Sequence, residues 1–430
     1  MTQSRDNASR YRPITIVFLI LIGFATLVGT VVPAGLGWDF ANFYDTGRRV
    51  AVWQIADLYE SESLIAGEPP QGKLSFWGAP ISALLYAPLS LFSPDRALLV
   101  FKVQNAAACL IALWLLFRNY RWFFSGNEIP DPWRFAALFT GAVLLYQPFW
   151  AIYRIGGQTT PTVFLLFTIA LFCHSKERFR LSAVCIALAV LIKPAFVFVL
   201  FPLCLVSGWK FVREAVAVFA AFAVASLLIL GWDVHVKFLV LMSQGMTKAY
   251  PWLYNSSLFV TGENLKLLAD PPIGGPIVGA SVIVLKVLFV FLFGVMFRLS
   301  RSENWTTAAR RQFDILMSVT FCLMISQTVW EHYLALLFLP LAYLLAISLT
   351  LSTGARFLLA SIFAASVGQN TVLISFVNAH LSFDTVPELI AVGLLKSSPL
   401  WLMLMFLLIY RREFFRSFRG PHWARPAERS

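Results

Sequence analysis

The sequence predicts an all-α polytopic membrane protein, a single integral membrane domain over residues 1–430 with about twelve transmembrane helices. Hydrophobic residues make up 59% of the 430 positions and charged residues 13%, against roughly 25% charged in a soluble domain. The apolar residues fall in runs near the ~20 residues that a helix needs to cross a bilayer, not in the short alternating strands of a membrane barrel. Clusters of Lys and Arg separate these runs. The net charge of +12 is therefore interpreted as a record of helix orientation, and no nucleic-acid partner is expected.

The order of the spans follows from placing the basic clusters on the cytoplasmic side of the membrane. The first apolar run follows three arginines and is longer than the apolar part of a signal peptide, so we interpret it as an uncleaved first span. The predicted spans are residues 14–34, 96–117, 136–152, 161–174, 181–192, 195–207, 214–232, 277–297, 313–329, 334–350, 357–377 and 389–409. Both ends of the chain, 1–13 and 410–430, are then cytoplasmic tails, and large outer loops are expected at 35–95 and 233–276.

Two apolar segments do not fit a simple crossing. Residues 76–92 contain Gly78, Pro80 and Pro88, and they are predicted to re-enter the membrane or to lie in its interface, which requires protein or water to satisfy the backbone. Residues 181–207 are long for one span and short for two. They are predicted to form a tight hairpin with Lys193-Pro194 at its outward tip.

The first outer loop carries a helical pattern of its own. Apolar residues recur at helical spacing from Phe40 to Leu58, against polar residues that include Asp45 and Arg49. This pattern predicts an interfacial helix from about Phe40 to Tyr59. Such a helix could form one wall of a groove that is open sideways to lipid.

Missing motifs argue against a cytosolic nucleotide substrate. The chain contains neither the phosphate-binding pattern G-x-x-x-x-G-K-[ST] nor an Asp-x-Asp metal clamp. The five cysteines all lie in apolar runs without the spacing of metal ligands. No cofactor and no metal are therefore expected.

Asp39 is the first candidate for chemistry because it follows the first predicted span by five residues. Its neighbours Trp38 and Phe40 are aromatic, and partial burial between them would raise the basicity of the carboxylate, as a general base requires. The competing interpretation is that Asp39 caps the interfacial helix, since Asp is a favoured N-cap residue.

Lys193 is the second candidate. It lies inside an apolar stretch, where a charged side chain costs roughly 2.5–3.5 kcal/mol. It could extend its ammonium group to the membrane surface from the hairpin tip, or it could pair with a lipid phosphate.

Three further outer segments contain polar groups that suit a sugar or a phosphate. The turn after residue 152 offers Arg154 and Gln158 beside two glycines, although a plain glycine-rich turn would also explain the glycines. Glu331 and His332 interrupt an apolar hairpin, where His332 could donate to a phosphate or could cap the hairpin. Asn255 follows an aromatic stretch that could stack on a sugar or belong to an aromatic belt.

These candidate segments, taken in their order along the chain, resemble those of glycosyltransferase family 87. The resemblance is carried by Trp38-Asp39-Phe40, Gly157-Gln158, Ile192-Lys193-Pro194 and Asn255-Ser256-Ser257. It implies a GT-C membrane fold, a polyprenyl-phosphate sugar donor, a lipid or glycan acceptor and the surrounding membrane lipid as partners. It further implies a multi-pass protein of the cytoplasmic membrane with its active site on the periplasmic or extracellular side, similar to mannosyltransferases that build glycolipids there.

Carried over to this sequence, the resemblance makes Asp39 the general base. Lys193, His332 and Arg154 would hold the donor phosphate, and Gln158 and Asn255 would contact donor or acceptor. Tyr44 and Glu331 complete the expected substrate-binding set. The reaction would be a single displacement with inversion at the anomeric carbon.

Two other function classes are compatible with the same composition. One is a transporter or flippase of lipid-linked sugars, which would usually place its polar groups near the bilayer midplane. The other is an oligosaccharide ligase or polymerase, which would transfer a preassembled chain. The candidates here lie at the outer ends of predicted spans, and this position favours a transferase over a transporter.

Overall fold

The computed structural model of the protein describes residues 38–59, 76–119, 132–155, 157–247, 255–262, 271–303, 305–367 and 386–418, together with residues 17, 21 and 23. Within these ranges the chain is helical and forms no strand. The α-helices are, in chain order, α1 Trp38–Ala51, α2 Pro94–Arg118, α3 Pro132–Leu145, α4 Gln147–Ile155, α5 Thr160–Ser175, α6 Phe179–Ile192, α7 Leu200–Val206, α8 Trp209–Leu230, α9 Trp232–Thr247, α10 Pro271–Arg301, α11 Thr307–Ile325, α12 Phe338–Ala346, α13 Thr353–Val367, α14 Val386–Ile409 and α15 Arg411–Ser417.

Four of the described helices are long and apolar enough to cross a membrane. The segments that qualify are Pro94–Arg118, Trp209–Leu230, Gly279–Arg301 and Ile390–Ile409. The predicted crossings at 161–174 and 181–192 correspond to the shorter apolar helices α5 and α6. Nearly all of the predicted first span, 14–34, lies outside the described residues. The full number of twelve crossings therefore stays a prediction.

Several predicted spans are not continuous α-helices. Residues 195–207 and 334–350 each combine 3-10 and α-helical segments, and residues 313–329 extend beyond the end of α11 at Ile325. Residues 136–152 are divided between α3 and α4 at Tyr146, which is not helical. Pro148 explains the division, because its ring lacks an amide N–H and would clash with the preceding turn of a continuous helix. The span was predicted because residues 136–152 are apolar as a whole, although Gln147 and Pro148 interrupt the run.

The chain divides into two compact units, which we name after their candidate residues. The Asp39 unit comprises Thr26–Ala112 and Phe149–Ala249. The His332 unit comprises Met1–Ala25, Leu113–Pro148 and Tyr250–Ser430.

In the Asp39 unit, α6 packs against both α5 and α8, and α1 packs on two short 3-10 segments, Pro80–Leu85 and Ala87–Leu91. The contact with the 3-10 segments is close at Gly47, where an added Cβ would collide with the carbonyl oxygen of Tyr86. The 3-10 segments agree with the breaks predicted in 76–92, whereas the re-entrant or interfacial position of these residues stays a prediction. The backbone N–H of Ala79 donates to the carbonyl of Leu191, 2.8 Å away, and this ties the segment to the end of α6.

Helix α1 covers only the first part of the helix predicted from Phe40 to Tyr59, because it ends at Ala51 and only a short 3-10 segment, Ile55–Asp57, follows. Its polar side is more buried than expected. Asp45 and Arg49, which the sequence places on the polar side of this helix, are 8% and 5% exposed. Arg49 tolerates burial because its Nη1 donates to the carbonyl oxygen of Asp57 at 2.7 Å. The interfacial position of α1 stays a prediction.

In the His332 unit, α10 packs on α11 and α13 packs on α14. Arg301 at the end of α10 forms an ion pair with Asp314 of α11 at 2.9 Å. An aromatic cluster that includes Phe313, Tyr343 and Phe418 fills the space beside α11, α12 and α15. The unit thus has its own core.

Candidate active site

Asp39 lies in the first turn of α1, and its side chain is half-buried. The helix begins at Trp38, so the interpretation of Asp39 as the N-cap was wrong. A carboxylate in a first turn is favoured by the positive end of the helix dipole. Its Oδ2 accepts a hydrogen bond from Nε2 of Gln158, a residue 119 positions later in the chain.

Gln158 is held in place by the turn between α4 and α5. Gly157 has a φ of +94°, a conformation that side chains other than glycine rarely adopt. A Cβ at Gly157 would also collide with Cβ of Phe40, the neighbour of Asp39. Only glycine allows α1 and this turn to approach so closely, and this approach places the buried Gln158 side chain against Asp39.

Lys193 completes the group from the end of α6. The helix ends at Ile192, and Lys193 is extended, with φ −135° and ψ 91°, as residues before proline prefer. The predicted break at Lys193-Pro194 is thus confirmed, whereas the side of the membrane on which it lies stays a prediction. The half-buried Nζ of Lys193 donates to Oε1 of Gln158 at 3.2 Å.

The three side chains therefore form a carboxylate–amide–ammonium chain, in which Gln158 connects Asp39 to Lys193. The orientation of the amide follows from the charges. A flipped amide would place its oxygen against the carboxylate and its NH₂ group against the ammonium, with no hydrogen bond to either.

Burial and the neighbouring charge shift the pKa values of Asp39 and Lys193 in opposite directions. Burial raises the pKa of Asp39 above its usual value, while the nearby Lys193 charge lowers it, and the net direction is upward. Burial lowers the pKa of Lys193 to about 8, against the opposing effect of Asp39. The site thus holds a carboxylate of increased basicity beside a cation that can lose its proton at mildly alkaline pH.

Tyr44 is another expected substrate-binding residue of the Asp39 unit, and it contacts the protein backbone. The Tyr44 side chain is buried, and its hydroxyl donates to the carbonyl of Phe92 at 2.8 Å, so this tyrosine fixes α1 to the 3-10 region. Arg154 belongs to α4, but its side chain lies outside the described part of the structure.

Thr159 and Thr160, which we did not single out from the sequence, are buried next to Gln158. Their hydroxyls have no hydrogen-bond partner among the described residues. Buried hydroxyls in this state are suited to a polar ligand. The run of hydrogen-bonding residues after Gly157 was the available signal.

Asn255, Glu331 and His332 lie in the His332 unit, where the structure brings them together around one loop contact. The Oδ1 atom of Asn255 accepts from the backbone N–H groups of Val329 and Ser257, both at 3.0 Å. Its Nδ2 donates to the carbonyl of Gln327 at 3.2 Å. Asn255 thus uses its amide to position the backbone that leads into Glu331 and His332.

Glu331 and His332 begin a 3-10 segment, Glu331–Leu337, and both side chains are buried. An isolated β-bridge between Asn255 and Trp330 fixes the start of that segment. In the described ranges, no group of three or more His, Cys, Asp or Glu side chains could hold a metal ion.

The chain matches a known protein-family model. The model of glycosyltransferase family 87 matches residues 76–326, more than half of the chain. This range contains Gln158, Lys193 and Asn255, whereas Asp39 and His332 lie outside it.

Among solved structures, the chain is similar to ArnT from Cupriavidus metallidurans in the apo state, with 16% sequence identity and a TM-score of 0.40. The similarity covers 94% of this chain and 78% of that one. Comparison with curated proteins gave no match.

Proposed function

The chain belongs to glycosyltransferase family 87, and we propose that it transfers one hexose, with mannose as the expected sugar, from a polyprenyl-phosphate carrier to a glycolipid or another acceptor. The reaction takes place at the outer face of the cytoplasmic membrane in a GT-C fold. Asp39 is the general base, and the sugar is transferred with inversion.

The observation that carries this proposal is the chain of Asp39, Gln158 and Lys193. Three residues from distant parts of the sequence meet in one unit, and they supply a proton acceptor and a cation joined by an amide. A sugar transfer from a phosphate carrier needs both groups, because the acceptor must lose a proton while the leaving phosphate gains negative charge.

These residues account for the bond formed, the bond broken and the proton transferred in the reaction. The acceptor hydroxyl oxygen attacks the anomeric carbon, and its proton goes to Asp39. The bond between the anomeric carbon and the phosphate oxygen breaks, and its electron pair leaves with the polyprenyl phosphate. Gln158 occupies Oδ2 of Asp39, so Oδ1 is the expected proton acceptor.

Lys193 neutralises the departing phosphate in this proposal. A phosphate leaves as a stable anion, so a cation suffices where a glycosidase would need a carboxylic acid to protonate its leaving group. Thr159 and Thr160 add hydroxyls for the sugar or the phosphate. His332, Glu331 and Arg154 remain candidates for further contacts to the donor.

Replacement of Asp39 by Asn tests the assignment of the base. The variant keeps the shape of the side chain and removes the proton acceptor. Transfer from a polyprenyl-phosphate hexose should fall by about 10²–10⁴-fold, while binding of the donor to the purified protein in nanodiscs persists.

Asp95→Asn is the matched control, because Asp95 also lies in the first turn of a helix but is exposed. It should transfer sugar at the wild-type rate. An Asp39→Asn protein that binds donor and transfers sugar as fast as the control would remove Asp39 from the chemistry, and Glu331 would become the next carboxylate to test.

A further inference from the structure

A basic cavity of about 600 Å³ lies where the amino-terminal ends of α6 and α8 meet in the Asp39 unit. Four cations line it: Arg178, Arg180, Lys210 and Arg213. The first two flank the start of α6, and the other two lie in the first turns of α8. The backbone N–H groups at both helix starts add positive potential to that of the side chains.

Two carboxylates also line the cavity, Glu177 and Glu214. Glu214 is paired with Arg213, at 3.2 Å between Oε1 and Nη2. The cations therefore outnumber the carboxylates two to one, and the cavity is suited to an anion.

The position of the cavity relative to the membrane follows from α8. This helix is one of the candidate spans and has 22 residues, or a length of about 33 Å, slightly more than a hydrocarbon core of about 30 Å. Its first turns must then lie at the level of the lipid head groups. Trp209, the first residue of α8, is 75% exposed, as is typical of an interfacial aromatic anchor.

Apolar residues lie in the cavity wall and are exposed on the neighbouring helices. Leu181 and Val184 form its apolar wall. Leu205 of α7 and Val216 of α8 are 72% and 63% exposed. A molecule with a charged head and apolar chains would match both parts of this surface.

We propose that this cavity binds the phosphate of an anionic phospholipid, whose acyl chains lie along the exposed faces of α7 and α8. Each basic residue that contacts the bound head group at the membrane surface contributes about a fivefold gain in affinity for anionic lipid. The 14 residues of α6 separate the cavity from Lys193 by about 20 Å. The lipid site is thus distinct from the candidate active site, and it does not rest on the proposed function.

Native mass spectrometry of the full chain in detergent, titrated with lipid, tests this proposal. We expect phosphatidylglycerol to bind more tightly than phosphatidylcholine. The double variant Arg180→Gln/Lys210→Gln should bind phosphatidylglycerol about 30-fold more weakly. The conservative variant Arg180→Lys/Lys210→Arg should keep the affinity, because both charges remain.

Arg411→Gln/Arg412→Gln is the matched control, since it removes two exposed charges from α15. It should bind phosphatidylglycerol like the wild type. If the first double variant fails to fold, the single variants Arg180→Gln and Lys210→Gln, each with an expected loss of about fivefold, replace it.

Three outcomes would overturn the proposal. The first is equal binding of phosphatidylcholine, and the second is unchanged phosphatidylglycerol affinity in the folded Gln variants. The third is displacement of the lipid by inorganic phosphate at the same concentration, which would make this a site for soluble anions.

Discussion

Gln158 is the residue on which the geometry of the site depends. Its amide donates to a carboxylate and accepts from an ammonium group, so each neighbour fixes one half of it. The sequence indicated that Asp39, Gln158 and Lys193 could serve one reaction. It could not indicate their mutual contacts, because side-chain pairing across 119 and 35 positions depends on how α1, α5 and α6 pack.

A pH dependence follows from the depressed pKa of Lys193, which is about 8. The charged ammonium, present below that pKa, is the form that attracts a phosphate. Donor kcat/KM should therefore fall as pH rises through about 8, approaching tenfold per further pH unit. Lys193→Arg should shift this loss to higher pH, since guanidinium stays charged.

The measurement is kcat/KM for the polyprenyl-phosphate donor between pH 6 and 10, with Lys237→Arg as the control. Lys237 is exposed, so its replacement should leave the profile unchanged. If Lys193→Arg retains the wild-type loss near pH 8, the titrating group is a different residue.

Asn255 is expected to contribute to the stability of the folded protein. Its replacement by Ala leaves the buried backbone N–H groups of Val329 and Ser257 without their acceptor. At about 1–3 kcal/mol for each unsatisfied group, Asn255→Ala should lower the free energy of unfolding by about 2–6 kcal/mol.

Asn119→Ala is the comparison, because Asn119 is half-buried and its Nδ2 donates to one carbonyl of α2, which ends just before it. The apparent melting temperature in detergent should fall much further for Asn255→Ala than for Asn119→Ala. Equal melting temperatures would show that other contacts hold the loop before His332.

At the scale of elements, the helix breaks show which boundaries a sequence can predict. The end of α6 was predictable because Lys193-Pro194 combines a charge with a proline in an apolar run. The break at Tyr146 was missed, although Pro148 follows it, because the predicted span was judged by hydropathy alone. The burial of Asp45 and Arg49 was missed for a different reason: helical periodicity identifies the polar side of a helix but not whether another segment covers it.

A substitution at Gly157 tests how closely the α4–α5 turn must pack against α1. Gly157→Ala should displace the α4–α5 turn from α1, because the residue has a positive φ and its Cβ would collide with Phe40. Sugar transfer should fall by at least tenfold, together with a loss of stability of about 1–3 kcal/mol.

Gly294→Ala in α10 is the matched control, since no atom lies within 4 Å of its added Cβ. It should be neutral or stabilising by up to about 1 kcal/mol. Full activity in Gly157→Ala would mean that the turn can move without disturbing Gln158.

At the scale of the whole molecule, composition was sufficient for the all-helical class and for a membrane location, while the number of crossings was not. Several apolar helices, such as α6 with 14 residues, are shorter than a bilayer requires. For these short helices, high hydropathy is compatible with burial in protein as well as with burial in lipid. Family membership was predictable because it depends on short motifs, and the order of these motifs is visible in the sequence without knowledge of packing.

The topology remains open to a direct test. We predict that positions 39, 158, 255 and 332 all face away from the cytoplasm, opposite the basic clusters. In a variant lacking the five native cysteines, a membrane-impermeant thiol reagent added from outside should react with single cysteines near these positions. It should not react with a cysteine at position 411. Labelling of 39 and 158 from opposite faces would contradict both the topology and the site.

The amide that connects Asp39 to Lys193 has a consequence for the order in which substrates bind. The Lys193 charge lowers the pKa of Asp39, so a donor phosphate that neutralises Lys193 must raise it. Donor binding and proton uptake by Asp39 therefore assist each other, by the reciprocity of linked equilibria. In the proposed reaction, the carboxylate would thus become a stronger base once the sugar donor is in place, and we expect the donor to bind first and the acceptor second.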